Sequence, residues 1–124
     1  TEPTVLNTLN VSEKNLNIVK EGMREVISLG SCRYYFDDCI VDAAGKTGTS
    51  QLKRTTKSGV TMDCNNGFFI SFAPYNDPEI AVAIVAENAL TGSKTSQAAV
   101  PVYNYYFGQK TSFDTEQTPN TLIP

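Results

Sequence analysis

Histidine is absent from this 124-residue chain, which removes imidazole as a general base and the commonest protein metal ligand. Cysteine is scarce: Cys32, Cys39 and Cys64 make an odd number with no C-x-x-C pair. Neither a zinc site nor a disulfide framework is indicated. Cys32 and Cys39 would pair only if their segments meet, and three unpaired thiols is the better reading. No apolar run approaches the roughly 18 residues of a membrane span, and no signal-peptide pattern is visible. The 13 acidic and 10 basic residues are dispersed, for a net charge of −3. That leaves no basic stripe, so no nucleic-acid partner is expected. Asp37 and Asp38 have no identifiable metal partners, and the sequence calls for no metal and no cofactor. Internal repeats and low-complexity runs are missing as well.

What is there reads as one α+β domain with a modest core, 40% of the residues being apolar. Residues 1–11, with Pro3, form a polar lead-in. Ser12 is a candidate N-cap, Glu13 follows in the first turn, and Leu16, Val19, Met23, Val26 and Ile27 recur at helical spacing. A helix is expected over 12–28, stopped by Gly30. Gly22 inside it costs about 1 kcal/mol relative to alanine unless it admits a close contact. Residues 31–42 read as an aromatic-anchored loop and Val41–Gln51 as a strand of small residues. The polar stretch 52–66 reads as a mobile connecting loop.

Phe68–Ala73 and Ile80–Ala86 then form a hairpin about the turn Tyr75–Pro78. The unbroken apolar run of the second strand implies burial on both faces. Residues 87–95 turn through Gly92. A last helix is expected over 95–107, with Ala98, Ala99, Val102, Tyr105 and Tyr106 inward, a kink or late start at Pro101, and Gly108 as its end. Residues 109–124 read as an extended or disordered polar tail. The strands make a three-stranded antiparallel meander between an N-terminal and a C-terminal helix.

Lys46-Thr-Gly-Thr-Ser-Gln51 carries the chemistry. A strand edge offers backbone N–H and C=O groups to an extended peptide, and Gly48 removes a side chain where such a backbone must lie close. Lys46 supplies positive charge, while Thr47 and Thr49 supply hydroxyl donors, a set suited to a terminal carboxylate. A charge-assisted hydrogen bond of this kind is worth roughly 1.5–3 kcal/mol. Three common residues alone are a weak signal. The longer Ala44-Gly-Lys-Thr-Gly-Thr-Ser-Gln51, followed by Phe69-Ile-Ser-Phe-Ala-Pro74 and Ile80-Ala-Val-Ala-Ile-Val-Ala-Glu-Asn88, is a strong one.

This order resembles the C-terminal part of a class B penicillin-binding protein transpeptidase domain, of the serine DD-transpeptidase and β-lactamase-like superfamily. Ser12–Arg24, Ala98–Pro101 and Tyr105–Phe107 extend the resemblance to roughly residues 10–108. The departures are Ser71, where the family usually has glycine, and the stretch 52–66. The resemblance implies that Lys46, Thr47 and Thr49 bind the terminal carboxylate of a D-Ala-D-Ala stem peptide or of a β-lactam. It also implies that the Thr49 backbone N–H forms half of an oxyanion hole, that Gly48 admits the substrate backbone, and that Gln51 lines the cleft.

The nucleophile such a site serves belongs to a Ser-x-x-Lys motif. The one formal match, Ser50-Gln-Leu-Lys53, lies in the strand itself, where a three-residue offset sends the two side chains to opposite faces. No Ser-x-Asn occurs. The resemblance therefore implies a substrate-carboxylate half of the active site, inactive as a transpeptidase by itself. It comes from a parent anchored at the extracytoplasmic face of a bacterial membrane, and the Thr1 start agrees with an excised piece. Residues 1–108 would be an incomplete domain lacking its N-terminal half. The uncovered Ile80–Ala86 edge would then invite self-association. A β-lactamase, a β-lactam-sensing receptor domain and a non-catalytic binding module remain open alternatives.

Overall fold

The helical periodicity at the start of the chain becomes α1, Glu13–Ser28, capped by the Ser12 hydroxyl accepting from the Asn15 amide at 3.3 Å. Its end is set by Leu29 and Gly30, whose amides both donate to Glu25 O, at 3.0 and 2.8 Å. A side chain at position 30 would stand 2.9 Å from Val26 O, so the stop needs glycine. The structure is a computed structural model that describes residues 6–8 and 10–116, with side chains as far as 109. Most of the expected lead-in and the end of the expected tail (residues 1–5, 9 and 117–124) lie outside the described residues.

Only the last turns of α1 are held. Ile27 is buried and Met23 and Val26 are half-buried, whereas Leu16 and Val19 are 49% and 59% exposed. The expected apolar face is therefore covered at one end alone. Arg24 makes that attachment, donating to Ala43 O at 3.1 Å and pairing with Asp42. Lys20 Nζ stands 5.9 Å from the ring centroids of both Phe72 and Tyr75, within cation–π range. Gly22 does not admit a close contact, since a side chain there would meet nothing within 4 Å.

A 3-10 turn, Arg33–Tyr35, brings Phe36 into the core before β1 begins. β1 spans Ala44–Thr55 and β2 spans Thr61–Ala73. They pair antiparallel without a break from Ala44↔Phe72 to Thr55↔Thr61. The mobile loop expected over 52–66 is thus the closed end of a long hairpin. The Thr56 amide donates to Val60 O at 2.9 Å, the Gly59 amide to Thr56 O at 2.9 Å, and Gly59 takes a φ of +85°. This left-handed position suits glycine. The backbone ladder and that turn hold the segment rather than burial, so its exposed polar side chains hid it from hydrophobic patterning.

β3, Ile80–Ala86, adds to β2 with Phe69↔Ile84 and Ser71↔Val82, giving the expected three-stranded antiparallel meander in the order β1-β2-β3. It is not buried on both faces: as an edge strand it alternates, with Ala81, Ala83 and Val85 exposed. Ile80, Val82 and Ile84 pack toward the core, whereas Val85 on the opposite face is 65% exposed.

The covered face meets α2, Gly92–Ser96, and α3, Ala99–Glu116. The core joins Ile27, Phe36, Ala43, Phe69, Ala73, Ala99, Val100 and Tyr103. α3 starts late, as Pro101 required, placing the proline in the first turn where a backbone N–H has no helical partner. That shift changes the inward face to Ala99, Val100, Tyr103 and Phe107. Of the expected inward set only Ala99 is buried, and Tyr105 is 73% exposed. Gly108 does not end the helix, which runs through residues 109–116 where an extended tail was expected. All three cysteines are free thiols.

At the core, Tyr103 donates to Ser71 Oγ at 2.7 Å, so the serine that departs from the family pattern has a buried partner. Burial is the main cause that raises the Tyr103 phenol above its usual range, with the Ser71 bond acting the other way. The neutral phenol therefore contributes stability fully below its unfolded value of about 10 and loses it as pH rises through the folded value. Tyr103→Phe should cost about 1–3 kcal/mol by leaving the Ser71 hydroxyl without its donor, and it should also remove the alkaline loss. Adding Ser71→Ala should recover part of the cost, all three read by denaturant unfolding. Gly22→Ala should instead raise stability by about 0.5–1 kcal/mol in the same assay.

Candidate carboxylate-binding strand

Lys46–Gln51 forms the middle of β1, whose side away from β2 has no strand partner among the described residues. Cross-strand register assigns the faces. Thr47, Thr49 and Gln51 lie opposite Phe69, Gly67 and Asn65, on the face that carries α2 and α3. Lys46, Gly48 and Ser50 lie opposite Ile70, Phe68 and Asn66 on the other face. Lys46 and Thr47 therefore start from opposite faces. The lysine is exposed and folds back along its own strand, with Nζ donating to Thr47 O at 2.6 Å, which brings the ammonium beside the threonine. Ser50 and Lys53 also fall on opposite faces, as the three-residue offset requires.

The strand enters this segment through Gly45, where a side chain would stand 2.6 Å from Phe69 Cζ. The buried Phe69 ring, tilted against Phe36 with centroids 5.9 Å apart, therefore lies directly under the strand. Thr47 and Gly48 are half-buried above it, while Thr49 and Gln51 are exposed. Beyond Gln51 a shallow hollow lined by Gln51, Leu52, Lys53, Asp63 and Asn65 continues along the hairpin.

The residues that the sequence reading passed over are those seating α2. Thr91 caps it, its hydroxyl accepting from the Lys94 amide at 3.2 Å, and Thr95 Oγ1 donates to Thr91 O at 3.1 Å. The Gly92 amide donates to Thr49 Oγ1 at 3.0 Å. Gly67 makes room for Thr95, since a side chain there would stand 2.0 Å from Thr95 Oγ1. Thr91-x-x-Lys94 was legible as a capped helix start, but its contact with Thr49 depends on the whole meander.

The path from β3 to α2 is also tied down. Asn88 adopts a φ of 55°, a left-handed position that asparagine tolerates better than most residues, and its amide donates to Asn66 Oδ1 at 3.3 Å. Asn65 Nδ2 donates to Leu90 O at 3.2 Å. Arg54 pairs with Glu87 at 2.6 Å, an exposed pair worth little in itself. The Glu87-Asn88 ending of β3 thus has a physical role in turning the chain toward β1.

The other sheet face is open. Phe68 and Ile70 on β2 and Val85 on β3 are exposed, as are Leu16 and Val19 of α1. Among the described residues no three histidine, cysteine or acidic side chains converge as a metal site, and no helix is long and apolar enough to cross a membrane.

The strand motif, the meander and the connection through Asn88 together define a transpeptidase-type sheet. The family profile described as the penicillin binding protein transpeptidase domain matches residues 1–107. The chain belongs to this family. It is 35% identical over 95 residues to the peptidoglycan D,D-transpeptidase MrdA of Acinetobacter baumannii, an alignment that spans 71% of this chain and 14% of that protein. Among solved structures it resembles Pseudomonas aeruginosa PBP2, determined in complex with WCK 5153. The TM-score is 0.65 at 29% identity, covering 81% of this chain and 20% of that one. Penicillin-binding protein 2B of Streptococcus pneumoniae superposes with a TM-score of 0.67 at 26% identity, covering 86% and 18%. The fold and family expectations are borne out, and the chain corresponds to a small share of each relative's length.

Proposed function

We propose that this chain is the substrate-carboxylate half of a peptidoglycan D,D-transpeptidase site, with the nucleophilic serine and its lysine supplied by sequence outside residues 1–124. The observation that carries this reading is the position of Lys46-Thr-Gly-Thr-Ser-Gln51 on a strand edge with no strand partner among the described residues, within a transpeptidase-family sheet. An edge strand pairs with an extended stem peptide through its backbone. Lys46 and Thr47, brought together by the lysine's fold-back, and Thr49 beyond them give charge and hydroxyls to a terminal carboxylate. Gly48 keeps the space over the strand clear, and Gln51 extends the lining. The Thr49 backbone N–H serves as one of two donors to the tetrahedral intermediate, a role worth about 2.7–4 kcal/mol where it has been measured. A β-lactam carries the same carboxylate and occupies the same place.

In this reading the protein works at the extracytoplasmic face of a bacterial membrane, where peptidoglycan is cross-linked. The open face around Phe68, Ile70 and Val85 receives the remainder of the domain. The free edge of β3 pairs with a further strand of that remainder, or with a second copy of this chain when it is missing.

The protein that contains this chain together with an upstream Ser-x-x-Lys should form a long-lived stoichiometric adduct with a fluorescent penicillin, and Lys46→Ala should slow its formation roughly 10- to 150-fold. Rapid release of the acyl group would identify a β-lactamase instead, and an adduct on residues 1–124 alone would refute the missing nucleophile. Residues 1–124 should sediment as dimers or larger species at high concentration and become monomeric when the upstream sequence is restored. A monomer in both cases would remove the role given to the β3 edge.

A further inference from the structure

The first amides of a helix have no acceptor within the helix. In α2 the amide of Gly92 finds one 43 positions back in the chain, on the side chain of Thr49, at 3.0 Å in a partly buried setting. The approach is possible only because Gly92 lacks a side chain. A Cβ there would stand 2.1 Å from Gly48 O, 2.8 Å from Gly48 C and 2.9 Å from Gly48 N. The backbone of Gly92 therefore lies in contact with the backbone of Gly48, and its N–H is aimed at the next side chain along β1. Thr95 and Thr91 lock α2 from behind, in the space left open by Gly67.

A threonine hydroxyl has one proton and two acceptor lone pairs. An amide N–H can only donate, so the bond from Gly92 occupies a lone pair and turns the hydroxyl proton away from α2. An unrestrained exposed threonine rotates freely among acceptors, including carbonyls of its own strand. Here the direction toward α2 is closed to the proton, which is left to the directions away from α2, where an incoming acceptor can meet it. The adjacent Gly48 keeps its backbone position by the same contact.

We propose that Gly92 is a positioning residue for ligand selection at β1. Its amide holds Thr49 as a hydroxyl donor toward an incoming carboxylate, and its missing side chain sets the height of the Gly48–Thr49 backbone. The inference rests on the reading of β1 as a carboxylate-binding strand and assigns that strand a preference for the ionised carboxylate over its ester. A glycine that only fills a tight packing position would affect both ligands alike.

The test uses the whole protein that contains this chain and compares acylation rates with a penicillin and with its methyl ester. The unsubstituted protein should favour the free carboxylate by at least about tenfold, the scale of one charge-assisted hydrogen bond. Thr49→Val should lose most of that preference. Gly92→Ala should lose a similar share, and the double variant should lose no more than either alone, because the two act through one hydroxyl. Equal slowing with both ligands in Gly92→Ala, with the preference intact, would overturn the proposal. Absence of any preference in the unsubstituted protein would overturn the reading of β1 itself, and the role of Gly92 with it.

Hydrogen exchange across residues 90–96 gives a second measurement that does not require Gly92→Ala to fold. Thr49→Val should speed exchange of the Gly92 amide severalfold or more, whereas Thr49→Ser, which keeps the acceptor, should not. Equal exchange in the two variants would overturn the proposal.

Discussion

The ring of Phe69 lies under Gly45, and both the core and the strand that carries Lys46–Gln51 depend on that contact. The ring is fully buried on β2 beneath the strand that carries Lys46, and a single carbon added at position 45 would stand 2.6 Å from it. Phe36 tilts against the same ring from the 3-10 turn, and Tyr103 and Val100 join its cluster from α3. A buried aromatic of this size is a large share of the apolar burial available to so short a chain. Here that burial also sets the height and direction of the strand edge above it. Stability and the geometry of that strand edge thus share one packing contact.

Glycine makes this economy possible at three levels. Gly45 admits an aromatic ring, Gly67 admits the Thr95 hydroxyl, and Gly92 admits the backbone of Gly48. Each absent side chain brings a different layer against β1 or its neighbour. The result is a strand supported from beneath by the core and along its flank by α2. Its outer edge is left with no strand partner among the described residues. A site built on a supported strand holds its donors more firmly than one built on a loop. On the opposite face of the sheet Phe68, Ile70 and Val85 stay exposed.

Part of this was legible in order along the chain. Ser12 and Gly30 marked the limits of α1 because capping is a local matter of a few residues. Ile80–Ala86 was read with its observed limits because turn residues bracket a continuous β-forming run. The stretch 52–66 misled for a physical reason: an exposed hairpin can be held by its backbone ladder and one left-handed glycine, leaving no hydrophobic pattern to read. α3 misled differently. Its start moved to Ala99, and a helix that starts elsewhere presents another face, so Tyr103 went inward and Tyr105 outward.

The sequence by itself determined the family and the meander, because these depend on residue types and on spacing along one chain. It also excluded Ser50 and Lys53 as a Ser-x-x-Lys pair, since the two cannot share a face of one strand. Only the tertiary structure decided how the strand is held. The partnership of Tyr103 with Ser71, the placing of Phe69 beneath Gly45, and the bond from Gly92 to Thr49 join residues 32, 24 and 43 positions apart. Such contacts depend on the register of three strands and the seating of two helices together, and no local pattern encodes them.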